Sequence, residues 1–413
     1  MACSLVLLAI VPTASAQPPE TTLGNLLRER VYPLTVAEGR LDGPGADFLE
    51  GAAEGALFVA LGENHNTRAV PDLAVGLFRL LHGAHGFEHL ALEEGPALGD
   101  LLSEAVRGGA PDGAFRLGLL YPGSFHLYTE EELRMIDRVG ALSGADRPIW
   151  GLNQEFGLAH VLDRLAALAP SARARTVAEG LLQRVAPYEG ERFARDTSFL
   201  AAVATPADFQ ALREAFRPSP GSEADRLLAQ VELSHAVWAP YQATPRPGLA
   251  SFFESGRMRE ENMKRLFAEQ YWAAADEAHT RGGGPPRVLV KSGHVHLGRG
   301  LGRFNETYTL GNFLSEVATF LGGRSLHVYV VLNWDDLPES FFAPLLSLLP
   351  PEADAVLDLR PAHAWAAHGA LGDLDPELRR VLVGYDVLVV LADTSLGSVE
   401  ALRTPAFRWY PRQ

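Results

Sequence analysis

The chain has 413 residues, 47% of them hydrophobic, which is enough for a substantial core and for one large domain or two ordinary ones. Its formal net charge is −15, and this acidity argues against nucleic acid as a partner, because a phosphate backbone needs a basic protein face. The only cysteine is Cys3, which excludes an internal disulfide.

The first residues are typical of a cleaved secretory signal, with the apolar run Leu5–Val11 followed by Ala14-Ser15-Ala16. We therefore expect a signal peptide over residues 1–16, a single α/β domain over residues 17–413, and a secreted or periplasmic protein. If translation begins upstream of Met1, Cys3 becomes a candidate lipoprotein anchor. The apolar run is too short to span a bilayer and no later segment is long enough, so no transmembrane segment is predicted.

The first predicted elements in chain order are a helix near Leu23–Arg30 and a buried strand at Ala56–Leu61. The rest of the segment before this strand is polar and interrupted by Gly and Pro, and no further element is predicted in it. A helix with its apolar positions between Leu73 and Leu81 comes next, followed by a second strand at His89–Leu92.

A helix over Glu130–Leu142, with Thr129 as its N-cap, precedes a third strand at Pro148–Leu152. Residues 158–280 show helical periodicity and few strand-like runs, which predicts a helical insertion between the third strand and a fourth at Val288–Lys291. Three later runs also predict strands: Leu326–Leu332, Ala355–Leu359 and Val387–Leu391. Strands that alternate with helices predict an α/β fold, with a mostly parallel central sheet and flanking helices.

Polar or ionisable residues follow four of these strands at the point where each ends. Ligands of parallel α/β sheets bind outside the carboxyl ends of the strands, so we expect the four segments to converge on one crevice. The segments are residues 62–66, 93–94, 153–155 and 291–296.

Glu63 and His65 are the strongest catalytic candidates in these segments. A neutral imidazole is the usual base for activating water, and a carboxylate can orient it. Gly62 permits a tight backbone path before them. Of the two glutamates after the second strand, only one can face the crevice, and we favour Glu93 over Glu94 because it directly follows the apolar run.

The fourth segment contributes His294 and His296, which we expect to share one face of an extended segment; such spacing suits a metal site or catalysis. Lys291 is one of two lysines in the chain, and at this depth its ammonium could bind an anion. We predict substrate-binding roles for a wider set: His294, Lys291, Asn153, Glu155 and Glu94. No glycine-rich phosphate loop opens a helix, so the sequence does not support nucleotide binding.

The strand-end motifs resemble a superfamily that joins erythromycin esterases, ChaN-type haem-binding lipoproteins and Tiki/TraB proteases. Gly62-Glu63-Asn64-His65 resembles its G-E-x-H signature. Arg259, Glu260 and Met263 match the Arg-acid-x-x-Met helix signature of the erythromycin esterases. The strands ending at Glu93 and His296 resemble the same branch, as does the stretch from Tyr385 to Thr394. The resemblance covers roughly residues 57–394.

Two features depart from the esterase pattern. The esterases carry two residues between their Glu and His, whereas Asn64 alone separates Glu63 from His65, as in the ChaN and Tiki pattern. The esterases also favour an aspartate where Gly151-Leu152-Asn153 stands. These departures weigh against macrolide esterase activity on a shared scaffold.

The esterase resemblance implies hydrolysis of a small-molecule ester by an activated water. His65 would be the general base, and Glu63 would orient it or hold the water. Glu93 would orient the substrate or support the residues that contact it. His296 would polarise the carbonyl or protonate the leaving group, and Arg259 would stabilise the oxyanion.

Two other functions remain open at this point. The Tiki resemblance implies a divalent metal held by Glu63, His65, Glu93 and His296. The ChaN resemblance implies a haem-binding protein with an exposed histidine or tyrosine as axial ligand. The sequence fixes neither the substrate nor the oligomeric state.

Overall fold

The computed structural model describes residues 22–107, 111–190, 203–243, 248–302, 307–332, 341–350, 352–400 and 402. The predicted signal peptide, residues 1–16, lies outside this part of the chain. Within the described ranges, no helix combines the length and the hydropathy that a membrane span requires.

The described residues form ten strands, which build the central sheet and one hairpin. They are β1 (Val31–Pro33), β2 (Thr35–Ala37), β3 (Arg40–Asp42), β4 (Ala56–Glu63), β5 (His89–Leu92), β6 (Ile149–Gly151), β7 (Val288–Gly293), β8 (Arg324–Leu332), β9 (Ala355–Asp358) and β10 (Val387–Leu391). Eight of them form one sheet in the order β1-β9-β10-β8-β4-β7-β5-β6, and β2 pairs with β3 in a separate hairpin.

The central sheet is mostly parallel, as the sequence predicts. The strands from β10 to β6 pair in parallel, whereas β9 runs antiparallel to β10 and β1 runs antiparallel to β9. Every residue of β4 is buried, which fits an unbroken apolar run in the middle of a sheet covered on both faces.

Helices cover the two faces of the sheet. They are α1 (Leu23–Leu27), α2 (Pro44–Ala52), α3 (Ala69–His85), α4 (Pro96–Val106), α5 (Gly113–Leu120), α6 (Glu130–Leu142), α7 (Ala159–Leu168), α8 (Ala172–Gly190), α9 (Pro206–Phe216), α10 (Glu223–Gln242), α11 (Leu249–Thr280), α12 (His294–Leu297), α13 (Leu310–Phe320), α14 (Ala343–Leu346), α15 (His363–Ala367) and α16 (Pro376–Gly384).

Alternate residues of β4 pack into two different cores. Val59 and Leu61 belong to a core that includes residues of α3, α4 and α6. Phe58 and Ala60 belong to a core on the opposite face, with residues of α11 and α13. The period of two along the strand therefore places helices on both sides of the sheet.

The region predicted to be helical between the third and fourth strands contains α7 to α11 in the described residues. Residues of α7 to α10 share an apolar core of their own, which includes Leu162, Leu182 and Leu212. The last helix, α11, runs for 32 residues and returns the chain to the sheet.

The segment before β4 is more regular than the sequence predicts. It contains β1, β2, β3 and α2, none of which was predicted, and the first α-helix ends at Leu27, with a 3-10 turn over Arg28–Arg30. Strands of three residues are too short to show an alternating pattern in the sequence. Whether such a segment forms a strand depends on the neighbouring strand with which it pairs. Pro33 ends β1 at the sheet edge, the place where a strand tolerates proline.

Candidate active site

The four polar segments predicted from the sequence lie at one edge of the sheet. Glu63 ends β4 and Gly293 ends β7, while Glu93 directly follows β5 and Asn153 lies two residues after β6. These strands are neighbours in the order β4-β7-β5-β6, and they run parallel. Their carboxyl ends therefore meet at a single site.

Two glycines make room for the site. A Cβ at Gly62 would lie 2.9 Å from the Tyr385 hydroxyl and 3.0 Å from the Cα atom of His294. A Cβ at Gly293 would lie 3.0 Å from Nε2 of His65 and 3.3 Å from Oε2 of Glu93. Real Cβ atoms rarely come so close, so glycine lets the strand ends approach the functional side chains here.

The carboxylate of Glu93 is the centre of the cluster. Its Oε2 atom accepts hydrogen bonds from the Ser292 hydroxyl and the Gly293 amide, both at 2.6 Å. Its Oε1 atom accepts a hydrogen bond from Nη2 of Arg259. Burial opposes the ionisation of Glu93, but the positive charges of His65 and Arg259 hold its pKa well below the usual range.

Three histidines direct a ring nitrogen at this carboxylate. The Nε2 atom of His65 lies 3.4 Å from Oε2 of Glu93. On the other oxygen, Nε2 of His126 lies 3.4 Å from Oε1 and Nε2 of His296 lies 3.7 Å from it. The cluster opens on the side of His65 and His126, whose side chains are 27% and 23% exposed, against 6% for His296.

His65 is fixed by its second nitrogen. Nδ1 lies 3.2 Å from Oε1 of Glu63, which leaves Nε2 towards Glu93 and the open side. Burial lowers the pKa of His65, but the charges of Glu93 and Glu63 outweigh burial and raise it above its ordinary value. The geometry is that of an imidazole base with a carboxylate that orients it.

A buried charged network lies beneath His65. Nζ of Lys291 lies 2.6 Å from Oε1 of Glu63 and 2.8 Å from Oε1 of Glu132. Burial opposes the charge of Lys291, yet its two carboxylate neighbours raise its pKa to about 12. Burial works against the ionisation of Glu63, but Lys291 lowers the pKa of this carboxyl; for Glu132, burial prevails and raises the pKa to about 7. The ammonium of Lys291 is therefore paired with two carboxylates of the protein itself, below the open part of the site.

The helix α11 brings two adjacent residues down to the strand ends. Arg259 donates from Nε to Oδ1 of Asn153 at 3.1 Å, in addition to its bond with Glu93. Glu260 accepts a hydrogen bond at 2.6 Å from Nδ1 of His296 and another at 2.9 Å from the amide of Leu310. The Arg-acid pair that the sequence singles out therefore contributes one side chain to the carboxylate of Glu93 and one to His296.

His126 belongs to the site although the sequence gives no signal for it. It lies in the loop between α5 and α6, where no strand ends. Glu94 accepts hydrogen bonds from the amides of His126 and Leu127, at 2.8 and 2.9 Å, and Phe156 stacks on the imidazole with ring centroids 4.1 Å apart. Burial lowers the pKa of His126 to about 4, so this imidazole is neutral at neutral pH.

Two further predicted site residues are buried in supporting positions. The carboxylate of Glu94 holds the backbone of the His126 loop, as described above. Glu155 accepts a hydrogen bond from the amide of Ala97 at 2.9 Å, and its other oxygen lies 3.0 Å from Nε2 of His160. In this structure both carboxylates bind protein groups, and their predicted contact with substrate stays a prediction.

The expectation that His294 and His296 share one face of an extended segment is wrong. The chain turns at Gly293 into the short helix α12, and residues two apart on a helix point in different directions. Nδ1 of His294 lies 3.2 Å from the carbonyl oxygen of Glu63, and its ring packs 4.8 Å from that of Tyr329. Only His296 reaches the carboxylate of Glu93.

The site offers a divalent metal three ligand atoms, from His65, Glu93 and His126, that lie within 4.8 Å of one another. The predicted ligand Glu63 instead binds Lys291 and His65. The donor set fits a metal poorly, because both oxygens of Glu93 already accept hydrogen bonds and Arg259 neutralises its charge. The Nε2 atoms of the three histidines all lie within 3.7 Å of one carboxylate, and haem binding stays a prediction.

Comparison with solved structures extends over most of the chain. A mutant of the erythromycin esterase EreC, in its open conformation, superposes with a TM-score of 0.59 at 13% sequence identity, covering 89% of this chain and 98% of the esterase. This chain shares its fold with an erythromycin esterase. The resemblance read from the strand-end motifs is therefore confirmed at the level of the fold.

Two other solved structures show the same fold. A protein from Bacillus cereus superposes with a TM-score of 0.53 at 15% identity, covering 90% of this chain and 97% of that protein. A succinoglycan biosynthesis protein gives 0.53 at 17% identity, with 91% and 97% covered. No protein family model matches the sequence, and no curated protein matches it.

Proposed function

We propose that this protein is an esterase-like hydrolase in which His65 activates a water molecule for direct attack on an ester carbonyl. The observation that carries the proposal is the pair of contacts on the His65 ring. Nδ1 is held by Glu63, while Nε2 faces Glu93 on the open side of the cluster. A histidine that one carboxylate orients at Nδ1, and whose side chain is 27% exposed, has the geometry of a general base.

The first step transfers a proton from water to Nε2 of His65 as the water oxygen bonds to the carbonyl carbon. The imidazolium that forms lies between two carboxylates, Glu63 at 3.2 Å and Glu93 at 3.4 Å. Because both charges favour the protonated ring, they stabilise the state in which His65 has taken the proton. The carbonyl oxygen becomes an oxyanion in the same step.

Arg259 is the group suited to that oxyanion. Its guanidinium is anchored by Glu93 and Asn153, and its side chain is 19% exposed, so it sits at the boundary between the protein and the crevice. A fixed cation at the position where negative charge develops lowers the barrier without having to reorganise.

Collapse of the tetrahedral intermediate breaks the bond to the leaving oxygen, which must gain a proton to leave as an alcohol. The proton that His65 took from the water is relayed to this oxygen through Nε2 of His296, which Glu260 turns into the cluster by fixing Nδ1, so both imidazoles end the cycle as they began it. His126, neutral and held by Phe156, directs its Nε2 atom at Glu93 and lines the open side of the cluster. The products are a carboxylic acid and an alcohol.

A turnover screen tests the proposal. The purified protein is incubated with p-nitrophenyl acetate and butyrate and with small lactones in water enriched in ¹⁸O. We expect ester cleavage with one ¹⁸O atom in the carboxylic acid, and no acylated protein by mass spectrometry of the quenched reaction. Absence of cleavage across the panel would contradict the esterase proposal, and a stable acyl-protein adduct would contradict direct attack by water.

We also propose that the enzyme acts outside the cytoplasm, on the strength of the sequence of residues 1–16 alone.

A further inference from the structure

The network beneath His65 includes one residue, Glu132, that comes from the helix α6 and not from a strand end. We infer that Glu132 is a positioning residue of the proposed hydrolase: acting through Lys291, it keeps the carboxylate of Glu63 against the ring of His65. The inference rests on the proposed function, because it assigns Glu132 to the same general base.

The contacts form an unbroken chain from α6 to the crevice. Nζ of Lys291 lies 2.8 and 3.0 Å from the two oxygens of Glu132 and 2.6 Å from Oε1 of Glu63. The same Oε1 atom lies 3.2 Å from Nδ1 of His65. Four ionisable groups from three separate segments of the chain are therefore linked through a single ammonium group.

Burial makes this chain sensitive to the loss of any member. The side chains of Lys291 and Glu63 are fully buried and that of Glu132 is 1% exposed, so water cannot take the place of a missing partner. A buried charge that loses its partner costs several kcal/mol, about 3–5 in measured cases. The remaining charged groups would rearrange to reduce that cost.

The rearrangement can be anticipated from the donors and acceptors present. An ammonium has three N–H groups, and Glu132 accepts from Lys291 through both of its oxygens. Without the carboxylate of Glu132, these N–H groups would turn to the nearest acceptor left, Glu63, whose Oε2 atom has no hydrogen-bond partner among the described residues. Both oxygens of Glu63 would then bind Lys291, and the contact with His65 would weaken.

Charge gives the same result as geometry. Above pH 7, where Glu132 is ionised as well as Glu63, the two carboxylates and Lys291 together carry one net negative charge, next to the ring that takes the proton of the water. Replacing Glu132 by a neutral residue leaves Glu63 and Lys291 as a neutral pair. The imidazolium of the transition state then loses part of the charge that favours it.

The test compares Glu132→Gln with a control variant, Asp358→Asn. Asp358 is also a buried carboxylate paired with a cation, Arg360, but it lies on β9, at the far side of the sheet from the site. We expect E132Q to lower kcat for p-nitrophenyl butyrate about 10- to 100-fold with little change in KM, the range seen when a group that orients a reacting residue is removed. D358N is expected to retain the wild-type kcat.

The second readout does not depend on turnover. In protein labelled with ¹⁵N at histidine, the His65 ring signals are assigned by their loss in His65→Ala. We expect E132Q, but not D358N, to shift the Nδ1 signal of His65 away from its carboxylate-bound position. If E132Q leaves both this signal and kcat unchanged, Glu132 only neutralises a buried lysine and the inference is overturned.

A double variant guards against a folding defect in E132Q. Glu132→Leu combined with Lys291→Met replaces the buried pair by apolar side chains, which proteins often tolerate, and it leaves Glu63 without its cation. We expect the His65 signal to return towards its carboxylate-bound position, because Glu63 then has no ammonium to turn to, and a shift as large as that of E132Q would overturn the inference. If the wild-type protein cleaves no ester, the proposed function fails, while the ring signal still decides whether Glu132 positions His65.

Discussion

Glu93 and Arg259 lie 166 residues apart in the sequence and form a charge-assisted hydrogen bond at the centre of the site. Glu93 follows a strand and Arg259 comes from a long helix that reaches over the strand ends. The pair fixes a guanidinium at the crevice and neutralises a carboxylate that three histidines approach. The proposed catalysis, with His65 as the base and Arg259 as the oxyanion donor, depends on this arrangement.

Loss of the guanidinium should therefore be far more damaging than loss of a neighbouring arginine. We expect Arg259→Ala to lower kcat/KM for p-nitrophenyl esters about 100-fold or more, the cost of one oxyanion donor. Arg259→Lys keeps the charge but loses the fork that reaches both Glu93 and Asn153, so it should recover only part of the rate. Arg257→Ala is the matched control, because Arg257 lies two residues away on α11 and pairs only with exposed glutamates. Equal rates for R259A and R257A would remove Arg259 from the mechanism.

The dependence of the rate on pH should report the basicity of His65. A general base must be neutral to accept a proton. Burial lowers the pKa of His65, but the charges of Glu93 and Glu63 outweigh burial and raise it. We therefore expect kcat/KM to rise with pH and to reach half its maximum above pH 6.5, the ordinary value for histidine. Glu63→Gln removes one charge that favours the imidazolium, so its midpoint should move to lower pH while the maximal rate falls. A midpoint that is the same in both proteins would contradict the pairing of Glu63 with His65.

Removal of metal ions should leave the activity intact. Glu93 accepts hydrogen bonds through both oxygens and is neutralised by Arg259, which makes it a poor metal ligand. We expect far less than one divalent ion per chain by elemental analysis, and unchanged kcat after dialysis against EDTA. A stoichiometric metal, with activity that is lost on chelation and restored by the ion, would contradict this expectation and would make His65, Glu93 and His126 the ligands.

Much of the fold was predictable because the apolar runs in the sequence coincide with the strands that are buried in the structure. The apolar run at Ala56–Leu61 has few alternatives to a buried strand, and the observed strand β4 adds only Gly62 and Glu63 to it. The position of the site follows from the same strands, since parallel strands bring their carboxyl ends together. Glu63, Glu93 and the segment after β7 could therefore be placed at one edge without a structure.

The remaining members of the site depend on tertiary contacts that leave no local pattern. His126 stands in a loop and reaches the cluster only because Glu94 and Phe156 hold it there. Glu132 reads as an ordinary acidic residue in the first turn of α6, and its burial beside Lys291 depends on how that helix packs. The four-residue helix α12 contains both His294 and His296 and points them in different directions, but it is too short to show a helical period in the sequence.

The most direct test of the account is the rate of ester cleavage by His65→Ala, measured beside wild type and His279→Ala. His279 is exposed at the end of α11, so its variant controls for the loss of a histidine as such. We predict that H65A loses about 100- to 10,000-fold in kcat, the contribution typical of a general base, while it melts at the wild-type temperature and H279A stays fully active. Wild-type turnover by folded H65A would contradict the central claim that His65 activates the water.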